Sequence, residues 1–225
     1  MKRDLLNQLN LAKSEKRTVA LLTDIESGTQ ELISPLEENA EHPLLPEIRK
    51  AVRDDKSYVH ELSGSKTFIQ IFNPPLRIII VGAVHISQFL VPMSQLAGYE
   101  VILVDPRSAF GNPTRFPDCV INNEWPDDAM EELKLDHRTA VVILTHDPKL
   151  DDPAIEATLQ SDAFYIGALG SKRTHAKRLE RLKHIEGLDR IDGPIGLPIG
   201  AKNPAEIAVS ILAAIIDTLR NGAPK

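Results

Sequence analysis

Cysteine is almost missing from the 225-residue chain: Cys119 stands alone, so no disulfide can form within it, and nothing in the sequence calls for an oxidising compartment. Aromatic residues make up only 4% and the formal net charge is −6, which excludes the broad basic face a general nucleic-acid binder needs. An anionic ligand would have to be held by a local cationic cluster instead. Long apolar runs are also absent. The stretches at 78–83 and 213–216 fall far short of the roughly 20 residues that cross a bilayer, and Met1-Lys2-Arg3-Asp4-Leu5 does not open a secretory leader. These absences predict a cytoplasmic protein with no membrane span. At this length the chain can bury a real core without staples.

Two patterns divide the sequence. Residues 1–73 read as a small α+β domain. Leu5, Leu9 and Ala12 fit a short helix, 19–23 and 31–33 fit strands about a Ser27-Gly28 turn, and 35–46 is rich in Pro and Glu. Ile48 and Val52 lie one helical turn apart, and 58–62 and 67–72 flank Ser63-Gly64-Ser65 as in a hairpin. Pro74-Pro75 extends neither a helix nor a central strand and marks the boundary. An edge strand of this first domain offers a route to a homodimer.

From 74 to 225 strands and helices alternate, the mark of a parallel sheet with crossover helices. Strands are predicted at 77–81, 100–104, 140–144 and 163–166, and helices at 87–97, 127–133, 153–159, 171–185 and 204–219. The first and third strands are continuous apolar runs, as strands covered on both faces are. Asn203, Pro204 and Glu206 spell a capped start for the last helix.

The chemistry gathers at the carboxyl ends of these strands, where open parallel sheets bind ligands. First comes Gly82-Ala83-Val84-His85, between a strand and a helix, with Asp105 23 residues beyond Gly82. Such a turn sets amides and a helix N-terminus under a phosphate, with the later acid available to a ribose or other hydroxyl. Bound NAD would be preferred over NADP, because an acid at this place disfavours a 2′-phosphate. Val84, however, stands where a dinucleotide binder wants glycine, and weakens the NAD reading. His85 reads either as an exposed helix-start residue or as a donor to a ligand.

Second, Gly167 and Gly170 open a tight turn in which Ser171 caps a helix whose first turn carries Lys172 and Arg173. Cations there oppose the helix dipole, unless an anion binds or they only reach into water. Third, His146 and Asp147 end the strand predicted at 140–144 and share the edge with Asp105 and Arg107; Asp147 alternatively just opens a turn before Pro148. Arg115, in the loop 110–117, either closes over a ligand or is solvated, and the glycine-punctuated loop 193–202 either shapes a pocket with Lys202 or only sets the chain's path. No metal-ligand spacing, nucleophile elbow or phosphate-loop lysine is legible. Cys119 reads as a buried structural thiol rather than a reactive one.

These blocks, in this order, resemble the XdhC/CoxI family of accessory proteins for molybdenum hydroxylases such as xanthine dehydrogenase. The matching text is Pro74-Pro75, Ile79-Ile80-Val81-Gly82-Ala83 with His85-Ile86, Val104-Asp105-Pro106-Arg107, Arg115-Phe116-Pro117, Leu144-Thr145-His146-Asp147, Tyr165-Ile166-Gly167-Ala168-Leu169-Gly170-Ser171, and Gly193-Pro194-Ile195-Gly196 with Ile199-Gly200-Ala201. The resemblance implies an α/β protein, a Rossmann-like domain after a small N-terminal one. It implies a non-catalytic chaperone that binds the molybdenum cofactor (molybdopterin), helps mature it and passes it to the apo-enzyme. An NAD-dependent oxidoreductase and a cofactor-free docking scaffold are the alternatives. The cofactor-binding candidates are Gly82, Ala83, His85, Asp105, Arg107, His146, Asp147, Gly167, Gly170, Ser171, Lys172 and Arg173. Two departures stand out: no Gly-Gly-Cys-Val-Glu segment accompanies 35–46, so no thiolate comes from there, and Val84 replaces a glycine usual in the family's turn.

Overall fold

A computed structural model describes residues 2–222 except 38 and 63, so Ser63 of the expected hairpin turn lies outside the described residues. The chain divides into two compact units, Met1–Pro74 and Pro75–Lys225.

The first unit comprises α1 (Arg3–Ser14), β1 (Val19–Asp24), β2 (Gln30–Ile33), α2 (Leu45–Asp54), β3 (Tyr58–Leu62) and β4 (Ser65–Phe72). Its strands form an antiparallel sheet of order β2-β1-β4-β3. Side chains alternate across β1, so each face takes its own helix. Ala20 and Leu22 pack with Ile48 and Ala51 of α2, whereas Val19 packs with Leu9 and Ala12 of α1.

The second unit holds β5 (Arg77–Val81), α3 (His85–Leu96), β6 (Glu100–Val104), β7 (Val120–Asn122), α4 (Pro126–Leu133), β8 (Thr139–Ile143), α5 (Pro148–Leu159), β9 (Tyr165–Ala168), α6 (Lys172–Arg181), β10 (Ile191–Asp192) and α7 (Pro204–Asn221). All pairings are parallel, in the order β10-β9-β8-β5-β6-β7. The order reverses between β5 and β8, which puts a switch point at their carboxyl ends. Ile78 and Ile80 face α3 and α7 in one core, and Ile79 and Val81 face α4 and α5 in the other. Arg77 anchors the opposite end: 4% exposed, it donates to the carbonyls of Leu133 and Lys134 and to Thr139 Oγ1.

Several expected bounds shift. α5 starts at Pro148 rather than 153, because Asp147 caps it by accepting from the Lys149 amide, and Pro153 is carried inside the helix. α3 starts at His85, and α6 ends at Arg181 rather than 185. β9 runs two residues later than expected, at Tyr165–Ala168. β7 and β10, absent from the sequence reading, have three and two residues and exist only through pairing with β6 and β9. Among the described residues no helix is long and apolar enough to cross a membrane.

Candidate functional site

Three turns leave the carboxyl ends of β5, β8 and β9. Gly82 adopts φ +111°, and a Cβ there would lie 2.8 Å from the Thr145 methyl, so only glycine lets the β5 and β8 turns touch. Two amides of this turn are already used: Gly82 donates to the Val104 carbonyl and Ala83 to Asp105 Oδ2 at 2.7 Å. Ala83 is fully buried. What remains is the start of α3, where no side chain caps the helix, no acid occupies the first turn and His85 is exposed. Val84 leans partly into the core as the residue before the helix.

Asp105 corrects the sequence reading. It is wholly buried, and besides Ala83 it accepts from the Arg107 amide (3.0 Å), Nε (2.9 Å) and Nη2 (2.9 Å). Burial pushes its carboxyl up, but the Arg107 guanidinium and the two amides outweigh that and hold it below its ordinary range. With its oxygens taken, Asp105 ties the β6 end to the β5 turn instead of reading a ligand hydroxyl. Arg107 keeps 37% of its side chain exposed and lies over the Phe110 ring. Arg115 is not simply solvated: its Nη1 donates to the Ala83 and Phe110 carbonyls.

At the β8 turn His146 is exposed with φ +63°, a left-handed conformation that costs a non-glycine residue about 1 kcal/mol. Asp147 serves as the α5 cap. At the β9 turn Gly167 is buried within β9, where a Cβ would meet Ile195 at 2.5 Å, so its lack of a side chain admits the 193–202 loop. Gly170 takes φ +152°, Ser171 caps α6 by accepting from the Thr174 amide, and Ser171, Lys172 and Arg173 are all exposed. α6 therefore offers an anion its first-turn amides and two cations at once. The three turns share one edge, but α3 leaves on one face of the sheet and α5 on the other.

Sequence reasoning missed the buried pair beneath the turns, Asp151 and Arg178, 4% and 2% exposed, with Arg178 Nη2 3.6 Å from Asp151 Oδ2. A signal for Arg178 exists: in the helix expected over 171–185 it shares a stripe with Leu182 and Ile185, so a cation falls among apolar positions. Cys119 is half-buried; burial pushes its thiol up, and Sγ donates to the Val101 carbonyl at 3.8 Å. A groove of about 420 Å³ between α4 and α5 is lined by Asp127, Asp128 and Glu131 against one cation, Lys134, a net charge of the wrong sign for an anion. Among the described residues no group of three or more His, Cys, Asp or Glu side chains is placed to hold a metal ion.

The sequence pattern of the XdhC Rossmann domain matches residues 78–215. The chain belongs to the XdhC family. That span runs from β5 into α7 and takes in all three turns, so the edge described above lies within the XdhC domain. Among curated relatives, a probable xanthine dehydrogenase subunit from Bacillus subtilis (strain 168) is 36% identical over 155 residues, 67% of this chain and 45% of that protein. The molybdenum cofactor insertion chaperone PaoD of Escherichia coli (strain K12) is 29% identical over 148 residues, 64% of this chain and 40% of that one. The XdhC chain thus spans less than half the length of these relatives. A crystal structure described as a xanthine dehydrogenase from Bacillus halodurans matches 97% of this chain and 67% of its own, with 25% identity and a TM-score of 0.72.

Proposed function

We propose that this XdhC-family chain is a carrier that binds the molybdenum cofactor at the carboxyl edge of its parallel sheet and serves its maturation or delivery to a molybdenum hydroxylase such as xanthine dehydrogenase. One observation carries the reading: Lys172 and Arg173 stand exposed in the first turn of α6, where the helix dipole disfavours cations unless an anion joins them. The cofactor's phosphate supplies such an anion, on α6 or on the uncapped start of α3, and its pterin is a polar, hydrogen-bonding body for His85 and His146. Arg107, partly exposed and already neutralised by Asp105, contributes shape and donors rather than net charge. The relatives' names support the same reading, since one is a molybdenum cofactor insertion chaperone. That relative's name, an insertion chaperone, favours a carrier over a catalyst. The saturated oxygens of Asp105 count against NAD, whose ribose needs a free acid there.

Isothermal titration with intact molybdenum cofactor tests the proposal. Saturable binding in the micromolar range, lost in Lys172→Ser/Arg173→Ser, is expected. The absence of heat at tens of micromolar cofactor would contradict it.

A further inference from the structure

The buried pair beneath the three turns forms part of a relay. Arg178 sits midway along α6, and its Nη2 donates to the Leu169 carbonyl at 2.9 Å, within the β9 turn. Across from it, Asp151 of α5 accepts from Thr145 Oγ1 at 2.5 Å. The Thr145 hydroxyl in turn accepts from the Asp147 amide at 3.0 Å, and its methyl fills the space that the missing Gly82 side chain leaves. One line of contacts, Leu169 to Arg178 to Asp151 to Thr145, therefore touches the turns after β9, β8 and β5.

The pair is poorly arranged for stability. Burying a guanidinium is costly unless its donors are used, yet among the described residues Arg178 Nε and Nη1 meet no hydrogen-bond partner. Its distance to Asp151, 3.6 Å, is too long for a hydrogen bond. An apolar side chain would fill the same space at lower cost but would hold neither the Leu169 carbonyl nor Asp151. What the pair does that no apolar residue can do is fix three loops to one another.

We propose that Arg178 and Asp151 are positioning residues of the anion site: their pairing sets the α6 turn in register with the turns before α5 and α3, so that amides and cations from different strands meet one ligand. The inference rests on the reading of this edge as an anion site. Neither side chain touches the ligand, since both are buried.

Inorganic pyrophosphate, titrated calorimetrically into the purified full chain, provides the probe. Arg178→Met weakens binding roughly tenfold, as loss of a supporting residue commonly does, while the far-ultraviolet circular dichroism stays unchanged. Arg178→Lys, which keeps a cation opposite Asp151, recovers most of the affinity. Thr145→Val, at the far end of the relay, weakens binding in the same direction. The Arg178→Met/Thr145→Val double variant loses no more than the worse single one, because one cut already breaks the relay. Affinities like the unaltered chain's in these variants, with Lys172→Ser still weakened, overturn the relay and leave the anion site standing. Additive losses also overturn it. No binding by the unaltered chain removes the site and the relay together. If Arg178→Met does not fold, Thr145→Val decides alone, and unchanged affinity there overturns the proposal.

Discussion

Two buried aspartates lie at the same sheet edge, each beside an arginine, and they behave in opposite ways. Asp105 is surrounded by short donors from Arg107 and Ala83, and its carboxyl is held below the ordinary range. Asp151 is just as buried, but its arginine stands 3.6 Å away, and burial pushes its carboxyl up despite the Thr145 hydroxyl and Arg178. Arg178 is pulled down by the same burial, whereas Arg107, bonded to Asp105 and partly in water, is raised. The contrast separates two uses of an ion pair. The Asp105 pair offsets its desolvation with four hydrogen bonds and holds the β5 and β6 ends together. The Asp151 pair leaves donors unused and spends its reach on spacing the turns.

The sharpest way to break the comparison is to remove one arginine at a time. Arg107→Met strips the guanidinium from a buried carboxylate and leaves it only backbone amides, and the loss expected in chemical denaturation is about 3–5 kcal/mol. Replacing Asp151 and Arg178 together by Asn and Met costs less than about 1.5 kcal/mol, since exchanging a whole buried pair for well-packed neutral groups is often close to neutral. Equal losses for the two changes would erase the distinction.

Acid titration of stability is the second test, with opposite signs for the two carboxylates. Asp105 titrates lower in the folded chain than its unfolded value of about 3.9, so its contribution is present at neutral pH and fades as the pH falls below that value. Asp105→Asn therefore flattens the acid limb of stability against pH. Asp151 titrates higher when folded, so its contribution is full below about pH 3.9 and is lost as the pH rises through its folded value. The Asp151→Asn/Arg178→Met chain accordingly gains on the unaltered chain as the pH rises from about 4 towards neutral.

A smaller effect distinguishes binding from folding. Lys172→Ser and Arg173→Ser each relieve the α6 dipole, and each raises stability by about 0.3–1 kcal/mol in thermal unfolding at low salt while anion affinity falls. Stability that falls with these changes would mean the two cations hold the fold instead.

Much of this architecture is legible from the residues. The unbroken apolar run at 78–81 announces a strand covered on both faces, and Asn203 with Glu206 forms the capping box that starts α7. β7 and β10 escape notice because two or three residues carry no period of their own and are strands only by their neighbours. The start of α5 is ambiguous locally: Pro148 and Pro153 both suit a first helical position, and the Asp147 cap decides between them. At the edge, Gly82, Gly170, Lys172 and Arg173 are visible as a pattern, but the inward turn of Asp105 is not, because it depends on an amide 22 positions away. Asp151 and Arg178 are hidden for the same reason, paired across two helices that no local spacing joins.

Amide chemical shifts during titration with intact molybdenum cofactor follow the central claim residue by residue. The largest changes are expected at Ser171, Lys172 and Arg173 and at Val84, His85 and Ile86, with Leu169 and Thr145 following as the turns draw together. Shifts confined to the α4–α5 groove or to the first unit, with these amides still, would contradict the account.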